Sequence, residues 1–313
     1  MTLPLALDGT VPLTHWALIR ARGADALTFL QGQLTNDMAG MGPHDVRLAG
    51  FCSAKGRLQA SFVVWRPGDD EFMLACSASL LAVTLKRLSM FVLRARCQLS
   101  DASAELPLHG VVGASAAALI GDAAVWQTRA VAGGTLLRLP DVADVPRAVI
   151  AAASTPFDAP LDAHSISLDT WRWLEVRSGI PTVEAATFEK FVPQMLNYEL
   201  IGGVDFQKGC YPGQEVVARS QYRGTVKRRM FLFDCDVAAS AGQDVFHSAD
   251  ADQPAGMVVN AAPSPAGGGS ASLIEVKLAA LDAGSLHLGA PQGAHLRRSV
   301  LPYDVPLTSA APV

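Results

Sequence analysis

Apolar and polar positions alternate in short bursts along the first hundred residues, and turn chemistry separates the bursts. Trp16 and Leu18 alternate with their neighbours, which predicts a strand over His15 to Arg22. Ala26, Leu27, Leu30 and Leu34 share one helical stripe, so a helix is expected from Ala24 to Thr35. Asn36-Asp37, Gly40 and Gly42 then end it. Strands are predicted over 47–52, 58–66 and 71–77, divided by Ala54-Lys55-Gly56 and Pro67-Gly68-Asp69-Asp70. Ser79 can cap a helix to about Phe91, with Leu81, Leu85, Leu88 and Val92 on one face. Leu93, Ala95, Cys97 and Leu99 alternate as a further strand. Strands and helices mixed in this way make an α+β unit.

The pattern blurs over 110–160, an Ala-rich stretch read as helices near 114–121 and 144–153. A clearer helix starts after Ser167 and runs from Leu168 to Ser178, with Gly179 in the C′ position and Pro181 forbidding continuation. From Phe188 to Gly213 the chain is irregular and dense in Gly, Pro and Asn. Long irregular stretches of this kind are often functional. After Arg229 the period becomes two: Phe231, Phe233, Cys235 and Val237 alternate, as do Ile274, Val276 and Leu278. Short strands also fit 244–248, 255–260 and 285–288, and Gly267-Gly268-Gly269-Ser270 reads as a hairpin tip. That style predicts a small all-β barrel or sandwich at the C-terminal end.

Composition narrows the classes. The chain has 313 residues, half of them hydrophobic, and only 17% charged, with a net charge of −4. Two or three domains are expected, and a whole-protein electrostatic nucleic-acid binder is not. Met1 to Arg22 carries no signal-peptide pattern, and the longest charge-free stretch, Gln253 to Ile274, holds three prolines and a triple glycine. The five cysteines (52, 76, 97, 210, 235) form no CxxC and no zinc-like spacing, so a reducing, cytoplasmic compartment is expected, with no bound metal and no membrane association. The seven histidines never stand at metal-ligand spacing.

The scarcity of charge makes one segment stand out. Lys208-Gly209-Cys210-Tyr211-Pro212-Gly213-Gln214-Glu215 is followed by Arg219, Arg223, Lys227, Arg228 and Arg229. Two glycines and a proline fix a tight backbone around one thiol set among cations. Such surroundings, and a helix starting near Gly213, would favour thiolate. A cysteine packed as a small hydrophobe, with solvated arginines around it, is the competing reading of Cys210. For Cys52, Cys76, Cys97 and Cys235 that plain reading is the stronger, because each falls in an alternating strand pattern.

This segment resembles the K-G-C-Y-x-G-Q-E signature of the YgfZ family, folate-binding relatives of the glycine-cleavage T-protein that include mitochondrial iron–sulfur assembly factors. Gln31-Gly32-Gln33-Leu34-Thr35-Asn36-Asp37, Ala54-Lys55-Gly56-Arg57, Pro193-Gln194 through Gly202-Gly203-Val204, and Leu301-Pro302-Tyr303 are similar to other stretches of that family. The likeness spans roughly 13–303 and is thinnest over 100–165. It implies a T-protein-like α+β fold of three small domains around a central folate pocket. Residues 1–228 would form the folate-binding region, with one subdomain at roughly 47–105, and 229–313 the C-terminal β-barrel.

The resemblance also implies ligand residues. Trp16 and Trp171 match two tryptophans that line the family's folate site, and flat aromatic faces suit a pterin or p-aminobenzoyl ring. Trp173 is the rival of Trp171, about 200° away around the helix. Lys208, Arg219 and Arg223 are candidates for the anionic folate tail, and Tyr211 and Gln214 accompany them from the signature. Two departures from the T-protein pattern matter. No acid lies between Ala75 and Leu85, where T-proteins carry a functional aspartate. Arg177 holds the place, two before the helix-ending glycine, where an acid contacts the pterin, with Glu175 nearby on another face.

In functional terms the resemblance implies a tetrahydrofolate-binding accessory protein that supports iron–sulfur enzymes or assembly factors, including those that thiolate tRNA. Cys210 would be its functional thiol, and any link to tRNA would run through client enzymes rather than direct contact. A monomer is expected. A folate-dependent one-carbon transferase or demethylase is the alternative, and a pure interaction module with a vestigial pocket is a third reading.

Overall fold

The computed structural model describes residues 7–153, 165–222 and 226–307. Two five-stranded sheets and one closed barrel carry the fold. The first sheet has the order β3-β4-β5-β2-β6, formed by β2 (Trp16–Arg22), β3 (Val46–Cys52), β4 (Leu58–Gly68), β5 (Glu71–Ser77) and β6 (Gln98–Asp101). Its helices are α1 (Ala26–Gln31) and α2 (Leu81–Val92). Alternation along each strand divides the side chains between two cores. Ile19, Phe62, Val64 and Leu74 meet Phe29, Leu30 and Leu88 of the helices. Leu18, Val63, Trp65 and Ala75 turn the other way, into a core shared with the rest of the molecule. The sequence pattern starts this unit near residue 47. Strand β2 lies between β5 and β6 and extends the unit back to Trp16, a pairing between distant segments that local periodicity does not carry.

The second sheet has the order β1-β7-β10-β9-β8, built from β1 (Gly9–Pro12), β7 (Leu108–Val112), β8 (Thr128–Val131), β9 (Gly134–Val142) and β10 (Val145–Ala152). Helix α3 (Gly113–Ile120) covers one face through Ala116 and Ile120 against Leu136, Ala148 and Ile150. Leu137, Leu139, Val149 and Ala151 point into the shared core. The helix expected near 144–153 is therefore strand β10. Both of its faces are buried, so its apolar run shows no clean alternation, and periodicity alone cannot tell such a strand from a buried helix. The hairpin that feeds it turns through Ala143 and Asp144, both at positive φ (47° and 65°), without the glycine that would mark it. The strand expected at 93–99 is also shorter: Leu93, at φ 43°, ends α2, and β6 begins at Gln98. The first helix stops at Gln31, three residues before Leu34, which forms a single bridge to Phe51.

The barrel closes in the order β11-β14-β13-β12-β15-β16, from β11 (Arg228–Cys235), β12 (Asp244–His247), β13 (Gly256–Pro263), β14 (Ser270–Lys277), β15 (Leu286–Leu288) and β16 (Ala294–Ser299). Closure leaves no strand edge unpaired. Between the second sheet and the barrel runs α4 (Leu168–Arg177), capped by Ser167, whose hydroxyl accepts from Thr170 N at 3.1 Å. Its Trp171, Trp173, Leu174 and Val176 join the shared core. Just beyond the helix, Tyr303 donates its hydroxyl to the Gly179 carbonyl at 2.8 Å, docking the Leu301-Pro302-Tyr303 stretch there. Two sheets with helices on their outer faces, and a barrel, thus enclose a common centre. None of the described helices is long and apolar enough to cross a membrane.

Candidate functional site: a central cleft and the signature segment beside it

A cleft opens where the three units meet. Its narrower lobe is walled by Trp16 of β2, Ser61 and Val63 of β4, Leu139 of β9, Arg147 of β10, and Trp126. The wider lobe holds His15, Ser77, Ser79, Arg172, Glu184 and Asn260 of β13. Glu175, Ile180 and Thr182 line both lobes, so Glu175 stands at their junction. The two enclose about 480 Å³ and 720 Å³ of empty space when their open mouths are included.

Glu175 is held from two sides. Trp171 Nε1 donates to Oε1 at 2.8 Å, and His15 Nε2 lies 2.8 Å from Oε2. Each carboxylate oxygen keeps a lone pair to offer. Trp171 itself is fully buried and lines neither lobe. Its ring presses on Gly110, where a Cβ would come within 2.5 Å of Cε3, so only glycine fits there. Trp171, expected to face a folate ring, thus reaches the cleft through the bond from its Nε1 to Glu175 and not with its face. Trp173 turns toward the barrel side, with the Arg177 guanidinium 5.0 Å from its ring centroid and Arg177 paired with Asp234. The acid that this helix turns toward the cleft is Glu175, two residues before Arg177.

Arg147 is the other polar group of the narrow lobe. It is 1% exposed, and burial pulls its pKa down to about 10. Its Nε donates to the Pro140 carbonyl at 2.9 Å, while Nη1 has no partner among the described residues. Trp16 Nε1 and His15 Nδ1 are likewise buried without a partner. Trp126 adds an aromatic wall and adopts φ 63°, held by its backbone bonds to Val46 and Arg138. A strained backbone at an aromatic residue marks a place the surroundings enforce. The sequence did not mark His15, Trp126, Arg147 or Glu175 as site residues. The one local hint was Glu175, set one helical turn after Trp171.

The signature segment lies beside the cleft, and none of its residues lines either lobe. Lys208 donates through Nζ to the carbonyls of Gln31 and, at 2.7 Å, Leu34, and it stands 5.1 Å from the Tyr211 ring centroid. Burial brings its pKa down to about 8. Thr35 donates to Gly203 O, Asn36 to Gly202 O at 2.7 Å, and Asp205 N to Thr35 O at 3.0 Å. Gly213 packs on the 54–56 turn: at φ +80°, its Cβ would meet Ser53 O at 2.3 Å and Gly56 Cα at 2.7 Å. Four of the stretches that carry the family resemblance are thus neighbours that hold one another.

Tyr211 is buried, and its hydroxyl has no partner. Helix α5 (Gln214–Tyr222) starts with half-buried Gln214 and carries exposed Arg219. Arg223 lies outside the described residues. Cys210 is exposed, whereas Cys52, Cys76, Cys97 and Cys235 are all buried. Burial pushes the Cys52 and Cys76 thiols up to about 12, which leaves them inert at neutral pH. Cys210 is the cysteine open to a partner. Among the described residues no cluster of His, Cys, Asp or Glu could hold a metal ion.

The GCVT N-terminal domain model matches residues 9–153. A protein of Edwardsiella ictaluri (strain 93-146) described as tRNA-modifying protein YgfZ is 33% identical over 254 residues, covering 73% of this chain and 71% of that protein. Its namesake in Shigella boydii serotype 4 (strain Sb227) is 31% identical over 256 residues, covering 78% and 76%. The crystal structure of glycine cleavage system aminomethyltransferase T from Bartonella henselae superposes with a TM-score of 0.66 over 97% of this chain and 87% of that one. At 15% identity that match speaks for the fold alone. Two sheets and a barrel around a central cleft, the signature knitted to its companion motifs, and these relatives agree: the chain belongs to the YgfZ family.

Proposed function

We propose that this chain is a folate-binding accessory protein of tRNA modification, with a tetrahydrofolate-type ligand in the central cleft and Cys210 as its outward-facing thiol. The observation that carries the reading is the set of unmet hydrogen-bonding groups in an aromatic-walled cleft. Trp16 Nε1 and Arg147 Nη1 have hydrogens to donate, and Glu175 has lone pairs to share. Buried polar groups without partners are costly, and a pterin ring, flat and edged with both donors and acceptors, answers them. Trp16, Arg147 and Glu175 would hold such a ring. Arg172 of the wider lobe, with 37% of its side chain exposed, suits the hydrated carboxylates of a folate tail. When bound, tetrahydrofolate supplies a reducing and one-carbon-carrying group.

The relatives are described as tRNA-modifying, and support of the iron–sulfur enzymes that thiolate tRNA is the role that uses an exposed thiol. One thiolate can contact a cluster transiently or form a mixed disulfide, though it cannot hold a cluster alone. Titration with tetrahydrofolate should quench tryptophan fluorescence, and Trp16→Phe should remove part of that change. No quenching at concentrations far above physiological would leave only the interaction-module reading. In cells, Cys210→Ala should abolish support of tRNA methylthiolation; unchanged modification would remove the thiol from the account.

A one-carbon transferase is the second reading because the cleft contains a carboxylate–imidazole pair. His15 bonded to Glu175 at 2.8 Å is the kind of couple that moves a proton from a substrate amine. Conversion of tetrahydrofolate to methylene-tetrahydrofolate with an amine donor, lost in His15→Ala, would favour it.

A further inference from the structure

Arg147 is a fully buried guanidinium with no carboxylate of its own among the described residues. Of the two acids that influence it, Asp141 is paired with Arg138 at 2.5 Å, and Glu175 is bonded to Trp171 and His15. An unpaired cation in the interior is expensive unless another acceptor completes it. Arg147 and Glu175 share a support. The guanidinium carbon lies 5.9 Å from the Trp171 ring centroid, and the carboxylate accepts from that ring's Nε1. Both line the narrow lobe, so a donor that cannot accept stands beside an acceptor that cannot donate.

Resting on the folate reading above, we propose that Arg147 and Glu175 together read the lactam edge of the bound ring. Arg147 Nη1 donates to the ring carbonyl, and Glu175 accepts from the neighbouring ring N–H and amino group. The pairing makes Arg147 a specificity residue. A 4-oxo pterin satisfies both groups, whereas a 4-amino pterin offers Arg147 a second set of hydrogens and leaves Nη1 unpartnered. The wider lobe keeps the tail separate, since Arg172 there is the more exposed cation and Arg147 is sealed.

The test is a fluorescence or calorimetric titration of the full chain with tetrahydrofolate and with its 4-amino counterpart in the same oxidation state. The 4-oxo compound should bind about 10- to 100-fold more tightly. A tail-free 4-oxo tetrahydropterin should keep that preference over its own 4-amino form. In Arg147→Gln the ratio should fall toward one while Trp16 still reports binding. If that variant does not fold, the wild-type ratios decide alone. Equal affinities for 4-oxo and 4-amino folates would overturn the proposal and leave the folate reading intact. So would a preference that vanishes with the tail, because Arg147 would then be reading a carboxylate. If no folate binds at all, the folate reading fails and this inference with it.

Discussion

The cleft and the signature segment lie side by side but satisfy their polar groups to different degrees. Around the signature, Lys208 bonds two carbonyls and Thr35 and Asn36 bond the 202–203 backbone, while the buried Tyr211 hydroxyl is the exception, without a partner among the described residues. In the cleft, Trp16 Nε1, His15 Nδ1 and Arg147 Nη1 are left unmet. A satisfied network rigidifies its neighbourhood, whereas unmet buried polar groups are costly until something completes them. The strongest family motif therefore secures the structure that presents Cys210, and under the folate reading the ligand chemistry lies in Trp16 of β2, Arg147 of β10 and Glu175 of α4.

That contrast can be broken at several points, beginning with the most damaging. Gly213→Ala forces a Cβ against Ser53 O at a positive φ, and should cost about 3 kcal/mol or more in stability. A thermal midpoint close to wild type would mean the 54–56 turn yields easily. Glu175→Ala strands buried Trp171 Nε1, costing about 1–3 kcal/mol, and should weaken tetrahydrofolate binding about tenfold or more. Normal affinity in that variant would take the ligand out of the cleft.

Lys208 gives a smaller, pH-dependent effect. Its folded pKa of about 8 lies below the ordinary 10.5, with burial the main cause. Below pH 8 the ammonium is charged in both folded and unfolded chains, and the penalty of burying it stands in full. Between about pH 8 and 10.5 the folded chain sheds the proton first, so this group's contribution to stability rises with pH. Denaturation of Lys208→Met across that range should lack this rise relative to wild type. A difference between the two that does not vary with pH would exclude the titration.

Cys210→Ser should have the least effect on the folded state. Stability should change by no more than about 0.5 kcal/mol, because the side chain is exposed, and the tetrahydrofolate titration should be unaltered. If that titration moves, the two regions act as one site and the contrast between them collapses.

Legibility in the sequence follows the same division. The strands of the first sheet and the barrel are readable because turn residues such as Ala54-Lys55-Gly56, Pro67-Gly68-Asp69-Asp70 and Gly267-Gly268-Gly269 bound them, although β4, β5 and β14 are buried on both faces. Strand β10 is not, because no glycine marks the hairpin that feeds it, which turns on Ala143-Asp144. Lys208, Cys210 and Gly213 were conspicuous as a contiguous motif in a charge-poor chain. Arg147, Trp126 and His15 are single residues in ordinary surroundings, and only tertiary packing brings them to Glu175. Trp171 stands out in the sequence, yet its bond through Nε1, rather than its face, is what reaches the cleft.

The bond from Tyr303 to Gly179 joins positions 124 residues apart. It fastens the turn that follows Glu175 with a segment made late during synthesis. The cleft wall is therefore finished only after the barrel has been translated, and a chain cut short before Leu301 would present Glu175 on an unclamped helix end. Under the folate reading, ligand uptake would report completion, because the turn after Glu175 is clamped only once the Leu301–Tyr303 stretch has been made.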